Sequence, residues 1–154
     1  MIPRTMKAVL LKGHGGLEQL EYRDDVPVPT PAAGEVLVQV GAAAVNNTDV
    51  NTRIGWYSKS VATATADAAV QTASAATDGG WAGNPFVFPR IQGTDVCGRI
   101  VAVGAGVSQA RIGERVLVDP VLRPADGSFE NVGYVGLERD GGLPRLVERV
   151  VEPR

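Results

Sequence analysis

The sequence holds one cysteine, Cys97, and one histidine, His14, among 154 residues. An intrachain disulfide is therefore excluded. A zinc site made of cysteine and histidine would have to recruit carboxylates or ligands from another chain, so no metal site is expected. Nowhere do about 18 apolar residues run without interruption, and the first residues, MIPRTMKAVLLKGHGG, contain no sustained apolar stretch of the kind a secretory leader needs. Both absences point to a cytoplasmic protein with no membrane partner. Net charge is also scarce, at −2, which gives no electrostatic basis for binding nucleic acid or an anionic lipid surface. Lysine occurs only at 7, 12 and 59, a bias of genome composition rather than of function.

What is present suits one soluble core, since a chain of this length buries roughly two thirds of its unfolded surface. The recognisable elements are short and rich in Val, Leu, Ile and Ala: MKAVLLK, EVLVQVGAAAV, GRIVAVG and ERVLVDPVL, each bounded by Gly, Pro or Asp. They predict a β-rich barrel or sandwich. VPVPTPAAGE, with proline at every second position, predicts an edge segment or turn before Glu35. Between Ser58 and Phe88 the composition shifts to Ala, Thr, Ser and Gly, which predicts a long surface loop, with a marginal helix over ATADAAVQTASAA as the alternative.

Gly104 and Gly106 follow a strand, but Gln109 stands where a dinucleotide fingerprint needs its third glycine. The next strand also follows too soon for a phosphate-capping helix, so the segment reads as a turn between strands. His14, beside Gly15 and Gly16, reads as exposed polar filler, and Cys97 as a buried structural thiol. The polar density lies in VNNTDVNTRIGWYS, residues 45–58. Its plainest reading is a helix start: Asn46 or Asn47 caps, Asp49 sits in the first turn, and Arg53 pairs with Asp49 four residues later. That arrangement leaves Asn46 and the phenol of Tyr57 free to face a cleft.

HGGLEQL, GEVLVQVGAAAVNNTDVNTRIGWY, IQGTDVCGRIVAVGAGV and RIGERVLV together resemble, in order and nearly in spacing, the N-terminal catalytic domain of medium-chain dehydrogenases/reductases. The resemblance is strongest to the zinc-free quinone oxidoreductase branch. It implies a GroES-like, partly open β-barrel over residues 1–154, mainly β with short helices, which normally packs on a Rossmann domain with NADPH between the two. The pattern Asn-x-x-Asp then Arg-x-Gly-x-Tyr falls on Asn46, Asp49, Arg53, Gly55 and Tyr57. The resemblance assigns catalysis to Tyr57 and Asn46, cofactor contacts to Asn46, Asn51 and Arg53, and structural support to Asp49 and Gly55. Where the zinc branch has a cysteine and a Gly-His-Glu, this chain has Asn46 and Gly93-Thr94-Asp95, which implies zinc-independent hydride transfer to a quinone, enone or carbonyl.

The chain departs from that pattern in the long loop at 58–88, in Pro144 where relatives continue a strand, and in lacking a Rossmann domain. Two classes of function follow. One is a truncated oxidoreductase domain that needs a Rossmann-domain partner chain or self-association; the other is a non-catalytic β-barrel interaction module.

Overall fold

The computed structural model describes residues 1–58, 85–124 and 132–143, and the backbone of residues 146–150. Nine strands and one α-helix are formed by these residues. A three-stranded sheet runs in the order β2-β1-β4, from β1 (Thr5–Leu11), β2 (Leu20–Pro27) and β4 (Arg90–Ile91). A four-stranded sheet runs β6-β5-β3-β9, from β3 (Glu35–Ala44), β5 (Asp95–Val103), β6 (Arg115–Leu117) and β9 (Leu146–Val150). A small ribbon pairs β7 (Val121–Leu122) with β8 (Gly133–Tyr134). The helix α1 (Asn47–Arg53) follows β3 directly.

β3 organises the core because its first half is buried on both faces. Val36 and Val38 join Val96, Ile100 and Val118 on one side, while Leu37 joins Met6, Ala8 and Ile91 on the other. Alternate side chains leave a strand on opposite faces, so a run such as Val-Leu-Val can serve two cores only if layers cover both. The second half of β3 is different: Gly41 to Ala44 are exposed, and Val45 is 70 % exposed. The strand thus leaves the core and delivers the chain to α1 along an open shelf.

β2 is absent from the apolar pattern because LEYRDDVP is charged. It forms an edge paired only with β1, and its charges, including the Arg23–Asp25 ion pair at 2.6 Å, keep that edge from further pairing. The proline-rich segment closes β2 at Pro27 and then crosses to β3, as an edge-and-turn reading requires. ERVLVDPVL, read as one strand, is two: Val118 still donates to the Val96 carbonyl at 2.9 Å, but Pro120 has no N–H, and the chain turns to pair with β8 instead. The Gly104–Gly106 segment is a turn joining antiparallel β5 and β6, with a short 3-10 turn at Gln109–Arg111. After Pro144 the chain pairs again, β9 lying antiparallel to Glu35–Gln39 of β3. The loop expected over 58–88 lies, from 59 to 84, outside the described residues.

A Cβ added at Gly104 would run into the backbone carbonyl of Ala32, which the turn before β3 holds in place; one added at Gly106, at φ +83°, would meet open space. Gly104→Ala is therefore expected to cost about 3 kcal/mol through overpacking against backbone. Gly106→Ala should cost only about 1 kcal/mol, for its left-handed conformation. Urea denaturation of the two variants checks the ranking.

Candidate functional site

The site starts where β3 ends. Asn46 has extended backbone (φ −111°, ψ 163°), and its side-chain oxygen accepts from the Thr48 N–H at 3.4 Å. The Asp49 carboxylate returns the exchange, accepting from the Asn46 N–H at 2.8 Å, which completes a capping box. The other carboxylate oxygen accepts from the Gly93 N–H at 2.9 Å, and the Asp49 carbonyl accepts from Gln92 Nε2 at 2.9 Å. One buried carboxylate therefore fastens the helix start to the strand-to-strand turn at 92–93. Burial raises its pKa above the ordinary 3.8, the two backbone N–H groups act against that rise, and nearby Asp95 adds to it.

The turn is held from its far side as well. Gly141, Gly142 and Leu143 donate to the carbonyls of Ile91, Gly93 and Gln92 at 2.7–3.0 Å, and Asp140 accepts from the Ile91 N–H. Gly93 itself, at φ +107°, has backbone of Gly142 and Leu143 within 3.0 Å of where a Cβ would stand. Asp95 is thereby placed beside the helix, and its carboxylate accepts from Asn46 Nδ2 at 3.0 Å. Asn46, at the place of the zinc branch's cysteine, and Asp95, which follows Thr94 at the place of its histidine, thus meet as an amide–carboxylate pair. Both are exposed, and Asp95 stands at the rim of a cavity of ≈ 580 Å³ lined by Ala42 to Ala44, Cys97, Leu117 and Val118 among others. Cys97, expected to be buried, is half-buried and contributes to that wall, because the sheet face on which it lies is uncovered there.

Arg53 does not pair with Asp49. Its guanidinium donates to the Gly15 carbonyl at 2.5 Å, the Gly15 N–H donates to the Arg53 carbonyl at 2.8 Å, and Asp49 is already engaged by backbone donors. Neither is His14 exposed filler. With Nδ1 carrying the proton, it donates to the Thr52 carbonyl at 2.8 Å, and its ring packs edge-on to Phe88 with centroids 4.9 Å apart. The glycine turn after β1 is therefore a strap across the end of α1. Gly55, at φ +72°, closes the helix; beyond it Tyr57 is half-buried, edge-on to Trp56 at 5.4 Å. Asn51 is half-buried and its carbonyl accepts from the Trp56 N–H at 2.9 Å. The expected site residues are thus divided: Asn46 and Asp49 at the start of α1, Arg53 and Tyr57 at its end. Gln92 and His14 were missed as members of this framework, since their bonds join segments 38 or more residues apart.

Among the described residues no group of three or more His, Cys, Asp or Glu could hold a metal ion. The Gly104–Gly106 turn leads to no α-helix, and the Arg53 guanidinium is engaged by the Gly15 carbonyl, so neither forms a phosphate cradle.

The family described as alcohol dehydrogenase GroES-like domain matches residues 32–147. The starvation-sensing protein RspB of Escherichia coli (strain K12) is 32 % identical over 148 residues, which is 90 % of this chain and 34 % of that protein. RspB of E. coli CFT073, solved as a short chain alcohol dehydrogenase complexed with cofactor NADH, aligns at TM-score 0.68 and 25 % identity over 96 % of this chain and 37 % of that one. The quinone oxidoreductase of Rattus norvegicus is 32 % identical over 113 residues, 73 % of this chain and 27 % of that protein. A solved protein of Sinorhizobium meliloti 1021, provisionally assigned as an alcohol dehydrogenase, aligns at TM-score 0.78 and 48 % identity over 97 % of this chain and 39 % of that one. This chain spans about a third of the length of the relatives it matches.

Asp49→Ala would strand the buried Gly93 N–H and remove the cap, an expected loss of about 2–3 kcal/mol measurable by urea denaturation. The raised pKa sets a sign. The folded state holds the Asp49 proton more tightly than the unfolded state, so this group's contribution is intact below the ordinary value and is lost as pH rises through the folded value. Asp49→Asn removes that dependence, and its stability relative to wild type should therefore improve as pH rises from below 3.8 through the range where Asp49 ionises in the folded state.

Proposed function

Because the chain belongs to the alcohol dehydrogenase GroES-like domain family, the N-terminal domain of the medium-chain dehydrogenases/reductases, we propose that it forms the substrate half of an NAD(P)H-dependent oxidoreductase. The reaction is hydride transfer to a quinone, an enone or another activated carbonyl compound, without zinc. The observation that carries this reading is the Asn46–Asp95 pair, exposed beside an apolar cavity and held by a buried carboxylate.

A reduced nicotinamide, when bound, supplies the hydride. The chain's own residues do the rest. The Asn46 amide, fixed by Thr48 and Asp95, presents a donor and an acceptor to a carboxamide or a substrate carbonyl. The exposed Ala42–Ala44 shelf offers an apolar surface for a flat ring and excludes water from it. Tyr57, through its phenol O–H, donates the proton that balances the hydride on the reduced product. Asn51 and Arg53 support the end of α1 from which Tyr57 extends. Zinc independence rests on chemistry at the two ligand positions: a neutral amide replaces a thiolate at Asn46, where it already binds Asp95, and Thr94 replaces a histidine. The chain has no glycine-rich strand-to-helix turn among its described residues, so phosphate binding falls to a Rossmann domain, in a partner chain or elsewhere in the assembled protein. NADPH is the cofactor expected for the quinone oxidoreductase branch, while RspB was solved with NADH.

A second reading, a non-catalytic module that buries the shelf against another protein, is favoured by Leu117, 85 % exposed, and Val45, 70 % exposed, on the open side of the sheet. The two readings separate in one titration. Purified chain titrated with NADPH and with NADH, followed by nicotinamide emission, should bind at least one of them saturably, and Asn46→Ala should weaken that binding about tenfold. In the assembled enzyme Tyr57→Phe should lower kcat about a hundredfold with little change in KM. Unchanged turnover in Tyr57→Phe would remove the proton-donor role, and absence of any nicotinamide binding would favour the module.

A further inference from the structure

We propose that the outer face of β5 and β6 binds a small organic anion, with Arg99 and Arg115 gripping its phosphate or carboxylate and its apolar body lying over Cys97 and Leu117. The two strands are antiparallel, with Arg99 directly opposite Arg115 and Cys97 directly opposite Leu117. Residues two apart on a strand share a face, so the two arginines and the thiol–leucine pair lie side by side. All four line one cavity of ≈ 570 Å³, within the size range of small-molecule sites, and Gly41 on β3 leaves its floor open.

The charge arrangement calls for a partner. Like charges directly opposite each other on paired strands repel, and an anion between them turns that repulsion into attraction. Arg115 makes no hydrogen bond or ion pair with another described residue, and Arg99 spends one N–H on the Gly113 carbonyl at 2.8 Å, leaving most of its donors open. The neighbouring acids are committed elsewhere: Glu114 to Arg111 at 2.6 Å, Asp119 to Arg123 at 2.9 Å, and Asp95 to Asn46 at 3.0 Å. In a chain of net charge −2, this is a concentrated cationic pair beside an uncovered apolar surface. Val101, two residues further along β5 on the same face, is covered by the β1 sheet, so the groove is closed at that end and open over Cys97.

The groove adjoins the cavity beside Asp95 and shares Ala42, Cys97 and Leu117 with it, but its two arginines lie outside that cavity, and its test needs no nicotinamide. Cys97 is the only cysteine, so its alkylation by neutral iodoacetamide reports occupancy of the groove. Octyl phosphate and octanoate, each below its micelle concentration, are the probes; inorganic phosphate tests the head group alone and octanol the tail alone. The expected result is saturable protection by at least one organic anion, slowing alkylation about tenfold at ten times its Kd, with competition from inorganic phosphate. The tighter of the two anions identifies the head group. Arg99→Gln and Arg115→Gln should each weaken protection about tenfold or more, while Arg115→Lys, which keeps the charge, should weaken it less. Protection by octanol equal to that by octyl phosphate, no saturable protection by either anion, or protection unchanged in both Gln variants would overturn the proposal.

Discussion

A single buried carboxylate holds the functional end of this molecule together. A seven-residue helix is too short to stand alone, and α1 persists because Asp49 accepts both the N–H of its own cap and the N–H of Gly93 across the fold. Desolvating a carboxylate is unfavourable, and the two backbone donors offset part of it. Remove that group and the helix start keeps only the Gln92 bond to the Asp49 carbonyl and the exposed Asn46–Asp95 bond to tie it to the turn at 92–93.

The consequences extend to both ends of α1. At its start, β3 leaves the core, its last alanines form an open shelf, and Asn46 is turned toward Asp95 rather than into the interior. At its end, the strap from His14 and Gly15 binds the last carbonyls and the Arg53 guanidinium, so the helix is clamped before Tyr57 emerges. The proposed site for a flat ring and a small carbonyl compound gains from this rigidity, since the supporting bonds are formed before any ligand arrives. The geometry supplies the reason that residues in VNNTDVNTRIGWYS are polar, some as fasteners and some as an exposed face.

Much of this was legible in the residues. The Val-rich runs marked β1, β3 and β5, the asparagines before Asp49 marked a helix start, and the short gap after Gly106 marked a turn rather than a nucleotide loop. β2 escaped notice because an edge strand can be charged on nearly every residue, and the break at Pro120 was hidden inside a run that is apolar on both sides. The partners of Arg53 and His14 were misjudged for a common reason. Sequence spacing favours an i,i+4 ion pair with Asp49 and an exposed histidine in a glycine turn, but the turn after β1 folds back onto α1 and presents carbonyls to both side chains. Only tertiary structure shows that Gly93 had already claimed the Asp49 carboxylate.

The most direct test of this account is to map where a nicotinamide lands, using ¹⁵N-labelled chain and increasing NADH or NADPH. Saturable shifts confined to the Asn46 side-chain amide and the backbone amides of Ala42 to Ala44 are the predicted result, because that shelf and that amide are the surface the buried carboxylate sets in place. Shifts that leave Asn46 and the shelf untouched while appearing elsewhere would contradict it.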